Sequence, residues 1–148
     1  MIQLNNTRLK EIRENNEISQ RQIVKELNIS KSTYSRWETE EQIIPLTILN
    51  DFCNRFNVSM DYVMKLSNTN KITNNIDKLD RKLIGTKIKQ IRKENNLTQE
   101  ELAGFLNTTH STISAYESGK TLILTAFALE ICKKYNYSLD WLCDKRKE

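Results

Sequence analysis

The sequence has very little of what a metal site or a disulfide framework requires. Among its 148 residues there is one histidine, His110, and three cysteines, Cys53, Cys132 and Cys143, with no CxxC spacing. Zinc sites usually combine four cysteine or histidine ligands at short spacings, so we expect no bound metal. An odd number of cysteines without a signal sequence also indicates a reducing, cytoplasmic location.

Long hydrophobic runs and helix-breaking residues are scarce as well. The longest nearly apolar stretch, Leu122 to Cys132, has about 11 residues, whereas a membrane-spanning helix needs about 20. We therefore expect no membrane association. Only three glycines and one proline occur. Because β-alternating patterns are also few, the composition favours an all-α fold.

The residues also provide no basis for catalysis. There is no nucleophile–base set, metal cluster or phosphate-binding glycine loop, so we expect no enzymatic activity, no cofactor and no small-molecule ligand. The hydrophobic fraction of 38% and charged fraction of 28% are typical of a globular chain. The net charge of +4 is compatible with a nucleic-acid partner but does not require one.

The chain contains an internal repeat. Residues 7–64 (copy one) align without a gap to residues 86–143 (copy two). Identical pairs include Arg13/Arg92, Gln20/Gln99, Leu27/Leu106, Ser32/Ser111, Glu38/Glu117 and Cys53/Cys132. The identities are colinear and keep the same apolar periodicity, so we interpret them as two copies of one small domain.

Each copy is predicted to form five short helices. In copy one these cover residues 5–15, 19–27, 30–38, 45–56 and 59–65. Capping boxes are predicted at Ser19 with Gln22 and at Thr98 with Glu101. The turn before the second helix is assigned to Asn15-Asn16 and Asn95-Asn96, and the turn after it to Asn28 and Asn107. Ser30 and Thr109 then cap the third helix, and two short helices joined by so tight a turn indicate a helix-turn-helix.

These motifs resemble the lambda-repressor-like family of helix-turn-helix domains, the XRE and Cro type. Copy two carries the pattern in residues 97–103 (Leu-Thr-Gln-Glu-Glu-Leu-Ala), 112–120 (Thr-Ile-Ser-Ala-Tyr-Glu-Ser-Gly-Lys) and 138–142 (Ser-Leu-Asp-Trp-Leu). Copy one carries a looser version in residues 18–20 and 32–38. The resemblance implies an all-α chain with two five-helix lambda-repressor-like DNA-binding domains in tandem. We place them at residues 1–66 and 76–148, with a polar linker at 67–75.

The resemblance also implies which residues contact double-stranded DNA. The start of the third helix of each copy would enter the major groove, where Lys31 and Arg36 can donate to guanine. Gln20 and Gln99 would hold phosphate at the start of the second helix. The complete predicted set is Gln20, Ser30, Lys31, Ser32, Ser35, Arg36, Gln99, Thr109, His110, Ser111, Ser114 and Lys120. Tyr34 and Trp37 are expected in the core, and the pairs Arg13/Glu38 and Arg92/Glu117 as structural ion pairs.

The two copies differ where they would meet DNA. Copy one has Glu40-Glu41 at the positions where copy two has Gly119-Lys120. Acidic groups near a phosphate would weaken the backbone contact of copy one. Its third helix nevertheless has the more basic face. We therefore expect copy one to contribute more base readout and copy two more backbone affinity.

The assembly has two interpretations. A nine-residue linker reaches about 30 Å when extended, so the two copies could occupy successive major grooves about 34 Å apart. Alternatively, one copy binds DNA and the other forms a homodimer. A partly polar face of helix four is predicted to carry Ile44, Ile48, Ile123 and Phe127. They would mark such an interface, unless that helix is covered by the preceding loop.

Two functions remain open. The first is a transcriptional regulator, a repressor of phage or mobile-element type that reads two half-sites. The second is a protein-interaction module, such as an antitoxin or antirepressor, in which the same fold does not read an operator. The acidic run at residues 38–41 and the sparse third-helix face of copy two favour the second.

Overall fold

The computed structural model describes residues 6–147, and all regular structure in that range is helical. The first five helices are α1 (Leu9–Asn15), α2 (Gln20–Leu27), α3 (Lys31–Glu38), α4 (Leu46–Phe56) and α5 (Met60–Val63). The next five are α6 (Arg81–Glu94), α7 (Gln99–Phe105), α8 (His110–Glu117), α9 (Thr125–Tyr135) and α10 (Leu139–Leu142). The predicted all-α class is confirmed, and so is the sequence of five helices in each copy.

The chain divides into two compact units, Met1–Asp77 and Lys78–Glu148. Copy one lies in the first unit and copy two in the second. Helix boundaries in copy one lie close to those predicted, except at the first helix. That helix was predicted to start at residue 5, which lies outside the described residues. In the structure residues 6–8 are not helical, and α1 begins at Leu9.

Side-chain caps start most of the helices. Ser19 Oγ accepts from the Gln22 amide, and Thr98 forms a reciprocal capping box with Glu101. The box is thus confirmed in copy two, whereas at Ser19 only the forward bond is present within the described chain. Each cap satisfies a backbone N–H that the first helical turn leaves without a partner.

Left-handed residues end the helices and set the turns. Asn28 and Asn107 have φ of 58° and 57°, which confirms their predicted role after the second helix. The turn before that helix was assigned wrongly in copy one. The left-handed residue there is Glu17, at φ 58°, whereas Asn96 takes the equivalent position in copy two at φ 56°.

The core of each unit is apolar and combines residues from every helix. In α3, Tyr34 and Trp37 are buried, which confirms their predicted place in the core, and Ile113 and Tyr116 are buried at the aligned positions of α8. All three cysteines are buried thiols outside any disulfide, and burial raises the pKa of the Cys143 thiol well above its ordinary value. Other buried core residues are Leu9, Ile23, Leu49, Phe52, Ile88, Ile91, Leu102, Ala128 and Leu139.

Two isoleucines expected at an interface belong to the core instead. Ile44 and Ile123 lie before α4 and α9 rather than on them, and both are buried. Ile48 and Phe127 are half-buried on those helices. The prediction that all four residues form an apolar face on helix four is therefore wrong. Two of its four members cover the domain interior, because the loop before each helix turns inward.

The first helix of copy two is twice as long as that of copy one. Helix α6 has 14 residues and α1 has 7. Asp80 caps the start of α6, because its Oδ1 accepts from the amides of Lys82 and Leu83, each at 3.1 Å. Helix α6 therefore begins at Arg81.

The segment predicted as a linker lies along the first unit. Asn70 Oδ1 accepts from the Ser59 amide at 2.8 Å. The side-chain amides of Asn50 and Asn54, both on α4, each donate to the Ile76 carbonyl at 2.8 Å. Because these bonds fix residues 70 and 76 on the unit, the extended reach assumed for residues 67–75 does not apply to this conformation.

Candidate nucleic-acid interface

Each copy forms a helix-turn-helix from its second and third helices. In copy one, α2 ends at the left-handed Asn28 and α3 starts two residues beyond Ile29. Ser30 caps α3 by accepting from the Thr33 amide at 3.2 Å. In copy two, Thr109 caps α8 in the same way through the Thr112 amide. Short turns with caps at both ends fix the direction of the third helix relative to the second.

A buried ion pair anchors the end of the third helix in copy one. Arg13 Nε lies 2.7 Å from Glu38 Oε2, and Arg13 Nη2 donates to Glu38 Oε1 at 3.0 Å. The two side chains are only 9% and 3% exposed. Gln20 Nε2 also donates to Glu38 Oε1, at 2.8 Å. The start of α2, the last turn of α1 and the end of α3 are therefore joined through a single carboxylate.

The same network is present in copy two. Arg92 Nε lies 2.7 Å from Glu117 Oε2, and Gln99 Nε2 donates to Glu117 Oε1 at 3.0 Å. In both copies the remaining guanidinium nitrogen donates to a backbone carbonyl, that of Ile18 or Leu97. The structure confirms both predicted ion pairs and shows that Gln20 and Gln99 complete them.

The network lowers the pKa of Glu38. Burial alone would raise the pKa of this carboxyl group, but the hydrogen bonds from Arg13 and Gln20 and the Arg13 charge outweigh burial. The same contact raises the pKa of Arg13, so both groups remain charged across the usual pH range. A charged carboxylate in a buried position needs these donors, so we assign Glu38 to architecture rather than to DNA contact.

The opposite face of α3 is open to solvent. Lys31, Ser32 and Arg36 are exposed, and Ser35 is half-buried. Ser30 differs from these residues because its hydroxyl contributes to the cap and donates to Thr33 Oγ1 at 2.8 Å. The structure thus places two cations and two hydroxyl groups along one side of a short helix whose other side is buried.

The corresponding face of copy two is exposed but carries little charge. His110, Ser111 and Ser114 are all exposed on α8. His110 Nε2 lies 3.7 Å from Glu100 Oε1 on α7. Thr109 serves as the cap, so its side-chain oxygen accepts a backbone hydrogen bond. This face therefore offers hydroxyl groups and one imidazole where copy one offers Lys31 and Arg36.

The loops after the third helices differ in charge but share a backbone conformation. Glu40 and Gly119 are aligned and have φ of 66° and 78°. In copy one, Arg36 Nε lies 3.8 Å from Glu41 Oε2, with both side chains at least half exposed. In copy two, Lys120 is exposed and its carbonyl accepts from Arg81 Nη1 at 3.3 Å. Acidic groups thus stand beside the α3 face, and basic groups beside the α8 face.

A second repeated contact was missed by the sequence reasoning. Arg8 Nη1 donates to the Tyr62 carbonyl and its guanidinium lies 4.3 Å from the centre of the Tyr62 ring. Lys87 and Trp141 repeat this arrangement in copy two, with Nζ 4.9 Å from the ring centre. The cation ties the first helical region to the last helix of its own copy. The sequence does contain a signal for this contact: both copies have a cation at the first position and an aromatic residue at the second.

Two further observations concern the described part of the chain as a whole. Across residues 6–147, no group of three or more His, Cys, Asp or Glu side chains is arranged to hold a metal ion. None of the helices in the same range combines the length and apolarity that crossing a bilayer requires.

Comparison with known proteins gives three findings. Residues 9–63 and 88–142 each match the family described as Helix-turn-helix. The chain is 38% identical over 56 residues to the antitoxin PezA of Streptococcus pneumoniae serotype 4 (strain ATCC BAA-334 / TIGR4), a match covering 38% of this chain. The chain spans only 35% of that relative's length.

A solved structure of the P22 c2 repressor protein in complex with synthetic operator 9T is also similar. The identity is 25%, the match covers 43% of this chain and 97% of that one, and the TM-score is 0.40. The two family matches together include most of the chain and all the helices from α1 to α5 and from α7 to α10. The chain therefore belongs to the lambda-repressor-like helix-turn-helix family of DNA-binding regulators, with two copies of the domain in tandem.

Proposed function

We propose that this chain is a sequence-specific transcriptional regulator, a repressor of phage or mobile-element type, whose helices α3 and α8 enter the major grooves of two half-sites. The observation that carries the proposal is the two-sided character of α3. Its inner side chains Tyr34 and Trp37 are buried, while Lys31, Ser32 and Arg36 are exposed on the other side. A short helix held in this way presents hydrogen-bond donors to base edges in a fixed orientation.

The individual roles follow from the donors that each side chain has available. Lys31 and Arg36 can donate to O6 and N7 of guanine, and Ser32 and Ser111 can pair with either class of base. Gln20 and Gln99 each use their amide nitrogen on a buried carboxylate. That nitrogen has a second N–H, which we assign to a DNA phosphate. Ser30 and Thr109 would act mainly by capping α3 and α8.

We propose a division of labour between the copies. Copy one has cations on its readout helix but Glu40 and Glu41 in the following loop. Copy two has hydroxyl groups on its readout helix and Lys120 in the following loop. Cations on a readout helix favour base discrimination, whereas cations beside the backbone favour affinity. Copy one would therefore contribute more specificity and copy two more binding strength.

The arrangement of the chain is part of the proposal. We place one DNA-binding domain in each copy of the repeat and expect a cytoplasmic location, where the operator would be accessible. A homodimer would double the number of readout helices. Sedimentation of the full chain with and without its duplex distinguishes one chain per site from two.

A selection of binding sites from randomised duplexes tests the proposal. The expected result is a defined site with two parts, whose spacing and orientation the selected sequences reveal. Repeating the selection with Arg36→Ala should relax the preference in one part, while Gln99→Ala should weaken binding without changing the preferred bases. Binding to random DNA without any preferred sequence would contradict operator readout. Two variants indistinguishable from the parent would contradict the assignment of Arg36 and Gln99 to the site.

A second candidate is a protein-interaction module that does not read an operator. Two observations favour it: the similarity to a relative named as an antitoxin, and the acidic pair Glu40-Glu41 beside α3. An antitoxin-like role requires a stoichiometric complex with a defined partner protein. A chain that selects no DNA sequence but forms such a complex would support this candidate over the repressor.

A further inference from the structure

Helix α6 begins beside the loop that follows α8. Arg81 Nη1 donates to the Lys120 carbonyl at 3.3 Å. A Cβ atom placed on Gly119 would lie 2.8 Å from the Cα of Lys82, closer than real side chains pack. The backbone of Lys82 therefore lies directly against the loop. This brings together three exposed cations, Arg81, Lys82 and Lys120, which we call the α6 basic cluster.

Two glycines make this close approach possible. A Cβ atom on Gly85 would lie 2.3 Å from the Tyr116 carbonyl oxygen and 2.6 Å from that of Glu117. Gly119 has φ of 78°, a conformation that residues with a side chain rarely adopt. The first turns of α6 thus pack directly onto the carboxyl end of α8. The position of the cluster is fixed by backbone packing rather than by flexible side chains.

The cluster is specific to copy two. Copy one has Glu40 and Glu41 at the positions of Gly119 and Lys120. After Lys120, the loop contains only uncharged residues, from Thr121 to Leu124. The additional positive charge beside α8 is therefore supplied by α6, not by the loop itself. Asp80, the N-cap that precedes Arg81, is adjacent to the cluster in sequence, and its Oδ1 accepts two backbone N–H groups.

We propose that the α6 basic cluster binds a phosphate of the DNA backbone next to the groove that α8 enters. The inference rests on the proposed function, and it adds Arg81 and Lys82 to the contacts of copy two. The Arg81 guanidinium uses one of its five N–H groups on the Lys120 carbonyl, which leaves others for a phosphate oxygen. Lys82 and Lys120 add two mobile ammonium groups nearby.

The test compares two double variants of the full chain. Arg81→Gln with Lys82→Gln removes two charges from the cluster. Lys133→Gln with Lys134→Gln removes two charges from exposed positions on α9 and serves as the control. Binding to the same duplex is measured by fluorescence anisotropy over a range of salt concentrations. Thermal unfolding of each variant establishes that both remain folded.

We expect the cluster variant to bind more weakly and with a shallower dependence of log affinity on log salt. The slope should fall by about 0.9, the contribution of the one phosphate contact that the cluster is proposed to make. The sequence preference should not change, since phosphate contacts carry no base information. The control should keep the slope of the parent.

The possible results distinguish a failure of phosphate binding by the cluster from a failure of DNA binding by the whole chain. If the parent binds a selected duplex and the cluster variant keeps the slope of the control, the cluster does not bind phosphate. If the parent binds no duplex at all, the proposed function fails and this inference fails with it. A change in the preferred bases would also contradict the assignment, because it would place Arg81 or Lys82 in the groove.

Discussion

Glu40 and Gly119 occupy the same position in the two copies, and both have left-handed backbones, with φ of 66° and 78°. Copy one therefore keeps the path of the loop although it carries a residue that disfavours that path. Glu40 Oε1 accepts from the Asn6 amide at 2.6 Å, a contact that a glycine could not make. The loop conformation is thus shared between the copies, while its charge and side-chain contacts are not.

Replacements at Glu40 should show the energetic effect of this conformation. Glu40→Gly and Glu40→Ala both lose the contact with Asn6, but only alanine retains the unfavourable left-handed backbone. We expect the glycine variant to be more stable than the alanine variant by about 1 kcal/mol, measured by urea unfolding. Equal stabilities would show that the loop relaxes to another conformation when the glutamate is removed.

Replacement of the glycine on α7, Gly104, by alanine should stabilise the fold. A Cβ atom on Gly104 would meet nothing within 4 Å, and the residue is exposed inside the helix. Gly104→Ala should therefore raise the free energy of unfolding by about 0.5–1 kcal/mol. Gly85→Ala is the matched control, because it should lower the free energy by about 1–3 kcal/mol through overpacking against α8. Destabilisation by Gly104→Ala would contradict the open surroundings of that residue.

The Arg13–Glu38 pair should make the first unit sensitive to acid. The pKa of Glu38 is lower in the folded chain than its ordinary value of 4.5. The carboxylate therefore contributes stability above about pH 4.5, and this contribution is lost as the pH falls through the lower, folded-state pKa. At neutral pH, Glu38→Gln should destabilise the unit by about 3–5 kcal/mol, because Arg13 is left buried without its counter-charge.

Thermal unfolding at pH 7 and pH 3 measures this effect. The gap between the melting temperatures of the parent and of Glu38→Gln should be widest at pH 7 and should narrow at pH 3. Glu14→Gln changes an exposed carboxylate on α1 and serves as the control. A gap that stays constant between the two pH values would mean that the charge of Glu38 does not stabilise the folded unit.

Glu41 should limit DNA binding through Arg36 without affecting stability. The two side chains lie 3.8 Å apart and are largely solvated, so their pairing contributes little to folding. Glu41→Gln removes a negative charge close to the readout helix and releases Arg36. We expect several-fold tighter binding to duplex DNA at low salt, with the gain shrinking as salt rises. The gain should exceed that of Glu14→Gln, and an equal gain would indicate only a change in net charge.

The repeat made much of the fold predictable from the sequence. The helix caps and the left-handed turn residues depend only on contacts within one turn of the chain, so local sequence was sufficient to predict them. They are Ser30, Thr109, Asn28 and Asn107. The ion pair of Arg13 with Glu38 joins residues 25 apart. That pair was predicted through the family resemblance rather than from spacing.

The missed features depend on distant contacts or on differences between the copies. Arg8 and Tyr62 are 54 positions apart, so no local pattern connects them. The start of α6 at Arg81 depends on the cap that Asp80 provides, and this cap has no described counterpart in copy one. The burial of Ile44 and Ile123 depends on loops that turn inward, which helical periodicity does not describe.

If α3 reads base edges, the loss of Arg36 should reduce the ratio of affinities for a specific and a non-specific duplex. Affinities of the parent and of Arg36→Ala are measured on a selected duplex and on a scrambled duplex of the same composition, at one salt concentration. We expect about a 5- to 150-fold loss on the selected duplex, the value of one good base contact, with a much smaller loss on the scrambled one. An equal loss on both duplexes would contradict base readout by Arg36 and assign it to the phosphate backbone.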